Sequence, residues 1–415
     1  MKPEHLNVTV VGAGIVGVAT ALYLQRDGHS VTILDPNGPG EGCSRGNAGI
    51  LALDSVTPLA RFGLIRELPA MLGDRLAPMR LNAHALFELL PWLLRFALAA
   101  RPRRVAASAS ALAALLRTAL DAYRPLLDAA GARELVRENG WLAVYETERA
   151  FARAAPERML QRRCGVQMET LPVDEARRLV PALAPHIRHA LLFPKVAHTL
   201  DPYRLVQTLA EHFAARGGRI ERDRVVDIEA PAGGGVHLRT EAGSRDIPCL
   251  VIAAGAASGE LARRLGHRVP LVAERGYHVM LPRPGVEMSM PVLAAEHAYV
   301  ATPMAEGLRV AGTSELAGAG APPHYERARV LMERGRRLLP GLRTEEHEEW
   351  MGERPTLPDS LPVIGPSPRV PSVYFAFGHQ HLGLTLAAVT GRLVADMVSG
   401  RPTDVDMRPY RIDRF

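Results

Sequence analysis

Residues 7–35 read NVTVVGAGIVGVATALYLQRDGHSVTILD, and the order of features in this stretch decides the fold. An apolar run (7–11) leads into Gly12-Ala13-Gly14-Ile15-Val16-Gly17. An apolar segment at helical spacing follows (15–27), then a second apolar run (30–34) closed by Asp35. Short apolar runs bounded by turn residues read as buried parallel strands, with the crossover helix of a βαβ unit between them. In such a turn the first glycine makes the tight bend, the second lets backbone approach a pyrophosphate, and the third lets helix meet strand. The helix N-terminus adds an attraction for negative charge. Asp35, ending the next strand, is positioned to accept hydrogen bonds from an adenosine ribose. The expectation is a doubly wound α/β sheet that holds an adenine dinucleotide through Gly12, Gly14, Gly17 and Asp35. NAD and FAD share the ADP half, so this motif does not separate them.

Outward from that unit, residues 43–49 (CSRGNAG) offer small side chains and backbone amides to an extended cofactor. Between residues 58 and 131, Leu and Ala recur at helical spacing, broken by Pro69, Pro78, Pro91 and Pro102, which predicts several short helices. Asp201-Pro202 opens a further helix that stops at Gly217-Gly218, followed by a strand at 224–228. Residues 249–255 (CLVIAAG) read as a buried parallel strand rejoining the N-terminal sheet. Stretches 270–282, 291–303 and 308–313 alternate and predict a second, antiparallel sheet, with a helix over 326–339 after it. A strand at 373–376, a Gly- and His-rich turn and a helix over 384–399 close the chain.

Composition narrows the classes. The 415 residues exceed one ordinary domain, and 47% hydrophobic with 23% charged residues fits a folded chain with a sizeable core. Cys43, Cys164 and Cys249 carry no CxxC spacing, which disfavours a disulfide framework or a zinc site and fits a reducing cytoplasm. The net charge of +6 suits anionic lipid or an acidic substrate. Aromatics at 5% supply no stacking groove for nucleic acid. With the first strand read from residue 7, no signal segment is expected, and the apolar stretch 86–100 is interrupted by Glu88, Pro91 and Arg95. No metal-ligand spacing, Ser/His/Asp elbow or Walker loop occurs.

Taken together, VVGAGIVGVATALYLQRDGHSVTILD, SRGNAGIL, VIAAGAASGEL, RGYHVML, ERPTLPDSLPVIGPSP and FAFGHQHLGLTLAAVTGRLVADMVSG resemble the D-amino-acid oxidase superfamily over nearly the whole chain. The closest branch is that of the D-amino-acid dehydrogenases, including D-hydroxyproline dehydrogenase-like members. The resemblance implies a Rossmann-type FAD-binding domain (1–82, 198–268 and 346–415). An α+β substrate domain containing the antiparallel sheet (83–197 and 269–345) is interleaved with it. It implies that Ser44, Asn47, Ala48 and Gly49 lie along the pyrophosphate and flavin ring. It further implies that Val226 packs by the adenine through its backbone and that Gly255 lies near the ribityl side. In the C-terminal turn, Gly378, Leu382, Gly383 and Thr385 belong to the flavin site, the helix there directing the Leu382 and Gly383 amides at the charge of a reduced flavin. The FAD is expected to be non-covalent, because no cysteine lies in 312–315 and no histidine in 44–49.

The implied chemistry is oxidative deamination of a D-amino acid, cyclic ones such as D-proline or D-hydroxyproline included, by hydride transfer from the α carbon to the flavin. Arg354 matches the arginine that clamps the substrate carboxylate, a task its planar fork suits. Arg275 and Tyr277, two apart on a strand, share one face and are placed at the cavity roof. His379 and His381 are candidates for its lining. Two alternatives stand beside this reading: a secondary-amine oxidase of the glycine or sarcosine oxidase kind, and an FAD-bearing subunit of a hetero-oligomeric dehydrogenase. A quinone acceptor is expected, with the chain on the inner face of the cell membrane. The reason is that Phe62, Leu64, Leu89, Leu90, Trp92, Leu93 and Phe96 interleave with Arg61, Arg66, Arg95 and Arg101.

Overall fold

In the computed structural model, which describes residues 5–61, 79–81, 86–230, 235–317 and 321–415, Asn7–Val11 is central to a six-stranded sheet. It pairs in parallel with Ser30–Leu34 on one side and Cys249–Ile252 on the other. Arg219–Glu221 and Val373–Phe377 extend the parallel sheet at either side, and antiparallel Val363–Pro366 ends it. Val8, Val10, Leu250, Val251 and Ile252 are all buried, so these strands read as unbroken apolar runs rather than alternating ones. Helices Ile15–Arg26 and Gly383–Val398 pack on each other, meeting at Gly391, where a Cβ would lie 2.7 Å from the Ala19 carbonyl oxygen.

The region expected to break into short helices holds a 28-residue helix, Pro102–Ala129, and before it Leu86–Ala99 with Pro91 in its interior. Pro102 sits in the first turn, where the missing N–H costs nothing. An interior proline costs about 3 kcal/mol. Leu89, Trp92 and Phe96, buried against Ala60, Leu81 and Leu316, offset it at about 1.5–3 kcal/mol each. Pro69 and Pro78 lie outside the described residues. Buried tyrosines tie the long helix to the nucleotide sheet: Tyr23 donates to the Ala122 carbonyl at 2.6 Å, and Tyr123 to the Leu384 carbonyl at 2.5 Å. Pro102–Ala129 and Gln380–Val398 are long and apolar enough to cross a bilayer, yet half and two-thirds of their most apolar stretches are buried in the protein.

The second sheet runs in the order Glu348–Thr356, Val272–Leu281, Gly307–Leu316, Tyr299–Met304, Val292–Ala294, Trp141–Tyr145, His189–Phe193, Glu169–Leu171. It is mixed rather than wholly antiparallel. Val292–Ala294 pairs in parallel with Trp141–Tyr145, and Met79–Leu81 with the end of Gly307–Leu316. Glu348–Thr356, grouped by sequence with the nucleotide-binding segments, is hydrogen-bonded into this sheet along Val272–Leu281. It therefore carries side chains of the second sheet to the mouth of the first. A small sheet of Ile50–Leu51, Ala197–Thr199 and Val136–Arg137 joins the two bodies.

Candidate active site

At the end of the first strand Gly12 has φ +110°, and a Cβ there would lie 2.4 Å from the Ala253 carbonyl oxygen. A Cβ on Gly17 would meet the Gly12 oxygen at 1.9 Å, so both positions need glycine. The Ile15 amide, first in its helix, donates to Ser44 Oγ at 3.0 Å. Asp35 accepts from the amides of Ala13 (2.9 Å), Asn37 (2.8 Å) and Gly38 (3.0 Å), which fixes its carboxylate in place. These residues surround a cavity of about 510 Å³ that Gly12, Gly14, Asp35, Ser44, Asn47 and Gly255 border. Gly255, at φ +57°, faces open space. Val226 does not border the cavity, but its neighbours Arg224 and Val225 do. It is the extra residue of a bulge between Val225 and Asp227, so its backbone stands outside the ladder.

The loop after Ser44 is held from behind by the second sheet. His278 donates from Nδ1 to the Gly46 carbonyl at 3.0 Å, and Arg309 donates to the Asn47 carbonyl. A carbonyl only accepts, so Nδ1 carries the proton; burial, then Arg309, holds this ring down at about 3 and therefore neutral. Burial also pulls Arg309 down to about 10, leaving a buried cation behind the loop at neutral pH. Asn47 Oδ1 accepts the Gly49 amide at 2.9 Å, and the Gly49 carbonyl accepts from Thr199 at 2.7 Å. Gly49 thus shapes the loop without bordering a cavity. Trp350 lies across Gly46 and Gly352, where a Cβ would sit 2.2 Å and 2.0 Å from the indole, and it stacks on His278 at 5.0 Å. Sequence reasoning missed His278, Arg309 and Trp350. The glycines at 46 and 352 are the trace they leave in it.

A smaller cavity of about 200 Å³ adjoins the first at Cys43, Asn47, Trp350, Gly352 and Gln380, and Ala48, Arg354 and His381 border it. Arg354 Nη1 donates to Glu274 Oε1 at 3.0 Å and to Ser314 Oγ at 2.9 Å. Its Nη2 lies over Gly276, 2.2 Å from where a Cβ would be. Glu274 also accepts from Ser314 (2.7 Å) and Thr356 (2.9 Å). Burial pushes its carboxyl up, but Arg354 and these hydroxyls outweigh it and hold Glu274 below the usual carboxylate range. Only Nη1 of the guanidinium makes hydrogen bonds among the described residues, and Arg354 borders the smaller cavity.

One expectation for this cavity needs correction. Arg275 and Tyr277 share a face, but a bulge follows Tyr277, and Gly276, Tyr277 and His278 border the cavity while Arg275 does not. Arg275 is buried, donating to the carbonyls of Ala321 and Pro322. Tyr277 touches the cavity wall, yet its ring belongs to the core of the second sheet. Its hydroxyl donates to Glu315 at 2.8 Å and accepts from the His324 amide at 3.1 Å.

The C-terminal turn differs in a similar way. Gly378, at φ +83°, leaves no room for a side chain beside Leu357 and borders no cavity. His379 borders the larger cavity instead of the smaller and is hydrogen-bonded to Thr390 at 2.9 Å; burial holds it at about 3. His381 does border the smaller cavity. It is exposed, and desolvation by the protein around it lowers it to about 4. The Leu382 amide is consumed by the His379 carbonyl at 2.8 Å, so only Gly383 of that pair turns toward the cofactor cavity. Thr385 borders neither cavity; its hydroxyl accepts from the Ala52 amide at 3.0 Å and fastens the loop to the helix.

The family described as FAD dependent oxidoreductase matches residues 7–397. The chain belongs to this family. A D-amino-acid oxidase of Bradyrhizobium diazoefficiens is 35% identical over the full length of both chains. A D-amino acid dehydrogenase of Paramagnetospirillum magneticum is 32% identical over 99% of each. Glycine oxidase from Geobacillus kaustophilus has the same fold, with a TM-score of 0.75 at 24% identity over 99% of each chain. L-proline dehydrogenase from P. horikoshii superimposes with a TM-score of 0.75 at 17% identity, covering 100% of this chain and 98% of that one.

As an FAD-dependent oxidoreductase the chain uses FAD, and its cavities fit that cofactor. The glycine turn and helix N-terminus suit the pyrophosphate, and Asp35 borders the space a ribose needs. The junction of the two cavities would bring a flavin ring beside Asn47 and Trp350, with Arg354 farther along the smaller cavity.

Proposed function

We propose that this FAD-dependent oxidoreductase dehydrogenates the carbon–nitrogen bond of an α-amino acid of the D series, with FAD held non-covalently. The observation that carries the reading is Arg354, half-committed to Glu274, on the wall of a small cavity that adjoins the dinucleotide cavity. Its free edge matches a carboxylate, and Glu274, Ser314 and Thr356 lock the fork in one orientation. FAD supplies the hydride acceptor when bound.

The rest falls to orientation and water exclusion. Cys43, Trp141, Tyr299, Trp350 and His381 enclose the amino acid, and the volume of about 200 Å³ favours compact side chains, D-proline and D-hydroxyproline among them. No carboxylate borders this cavity among the described residues, and His381, lowered to about 4, is a weak base. The amine therefore reacts in its own deprotonated form, and the protein positions it rather than relaying its proton. The names of the two curated relatives support the D series.

The acceptor we infer is a membrane quinone. Phe87, Leu90, Leu94 and Leu98 of Leu86–Ala99 are 88%, 48%, 59% and 40% exposed, one apolar stripe. Exposed Arg95, Arg101, Arg103 and Arg104 beside it make no ion pair among the described residues. Lipid would cover such a stripe, with arginines at anionic headgroups. Leu89, Trp92 and Phe96, expected in it, are instead core, and Arg61 pairs with Glu157; Phe62, Leu64 and Arg66 lie outside the described residues.

A panel of D- and L-amino acids, glycine and sarcosine, assayed by dye reduction with the purified yellow protein, tests the substrate. D-amino acids should dominate, and heating should release FAD into solution. Preference for sarcosine, or flavin that stays with the precipitate, would overturn the respective part.

A further inference from the structure

Behind the small cavity lies another of about 530 Å³, a size that takes a small molecule. One stretch of chain separates them: Ala52 and Ser55 border the first, while Leu53, Asp54 and Val56 border the second. The aromatic pair Trp141 and Phe193, edge to face at 6.3 Å, completes the partition, one ring on each side.

Asp54 is only 5% exposed, and its Oδ1 has no hydrogen-bond partner. The nearby Trp141 N–H holds the carboxyl down slightly but falls short of hydrogen-bond geometry, and it too is unpartnered. Burial dominates and, with Glu157 adding to it, pushes Asp54 up to about 7. A buried carboxylate oxygen without a donor is costly, and such atoms call for a partner. On the solvent side, Arg124 is committed to Asp121 (2.6 Å) and Glu138 (3.0 Å). Exposed Arg117 and Lys195 also border the cavity and make no ion pair among the described residues. Leu116, Leu120 and Val196 form apolar walls between.

A negative base, apolar walls and a positive opening complement a zwitterion standing with its ammonium inward. We propose that this cavity is a second binding site for a free α-amino acid with an apolar side chain, its ammonium on Asp54 and its carboxylate toward Arg117 and Lys195. The site is separate from the catalytic cavity and does not depend on which substrate is oxidised there. Because Asp54 must be ionised to hold the ammonium, affinity rises on the order of tenfold between about pH 6 and pH 8.

Calorimetry on the FAD-loaded protein with L-leucine, 3-methylbutylamine and 3-methylbutanoate separates the contributions. Leucine should occupy this site, the amine more weakly, and the carboxylate not at all. Asp54→Asn should weaken leucine about tenfold or more at unchanged FAD content, and Arg117→Ala with Lys195→Ala should bring leucine down to the level of the amine. Arg354→Leu should leave this binding in place, which separates failure here from failure of the amino-acid reading of the catalytic cavity. The proposal falls if leucine does not bind, binds equally to Asp54→Asn, or is lost with Arg354→Leu. Should Asp54→Asn not fold, an affinity of the wild type that stays flat from about pH 6 to pH 8 overturns it equally.

Discussion

Arg354 works through the company it keeps. With Nη1 on Glu274 and Ser314, the guanidinium is pre-oriented, and lysine at this position would keep the charge but lose the fork. Arg354→Lys should therefore lower kcat/KM by roughly 2 to 4 kcal/mol, about 30- to 1000-fold, with FAD content unchanged. Equal kcat/KM would remove Arg354 from substrate binding. A half-buried carboxylate, Glu146, reports on stability rather than catalysis. Hydrogen bonds from Arg337 hold it at about 2 against its burial, His297 at 3.1 Å assisting. Since that lies below its ordinary value of 4.5, ionised Glu146 stabilises the fold at neutral pH, and the contribution fades as pH falls through about 5 toward 2. The gap in melting temperature between wild type and Glu146→Gln should be widest near about pH 6 and shrink by more than half by about pH 3. A gap that does not change with pH would contradict this account of Glu146.

Elements differ in how plainly the sequence announces them. The βαβ unit over 7–35 is legible because every signal in it is local: apolar runs, a glycine turn and a terminal Asp35 within one short stretch. Glu348–Thr356 is not, because its place depends on pairing with Val272–Leu281, a choice made by distant residues. For the same reason Arg354 can be recognised while Glu274, 80 positions away, cannot. Proline misleads in the helical region, where burial of Leu89, Trp92 and Phe96 outweighs the lost hydrogen bond at Pro91. That packing leaves the opposite face of Leu86–Ala99 apolar and exposed. Leu90→Glu with Leu94→Glu should cut co-sedimentation with phosphatidylglycerol vesicles several-fold while dye-linked turnover persists, since both side chains point away from the core. Undiminished sedimentation would mean that this stripe does not meet lipid.

At the scale of the whole molecule, function comes from the meeting of two sheets. The parallel sheet supplies the glycine turn and Asp35; the mixed sheet supplies Arg354, Glu274 and the residues that brace the loop at Gly46 and Asn47. Helices Ile15–Arg26 and Gly383–Val398, locked together at Gly391 and fastened by Tyr23 and Tyr123 to Pro102–Ala129, keep the two halves of the cofactor cavity in register. The central claim is the proposed one, that Arg354 clamps a substrate carboxylate in the small cavity beside the dinucleotide cavity. Anaerobic mixing of the FAD-loaded protein with a D-amino acid tests it most directly. The flavin absorbance should bleach, with one equivalent of imine, or of the 2-oxo acid formed from it, per FAD. Flavin that stays oxidised with every D-amino acid while another class of donor reduces it would contradict the account.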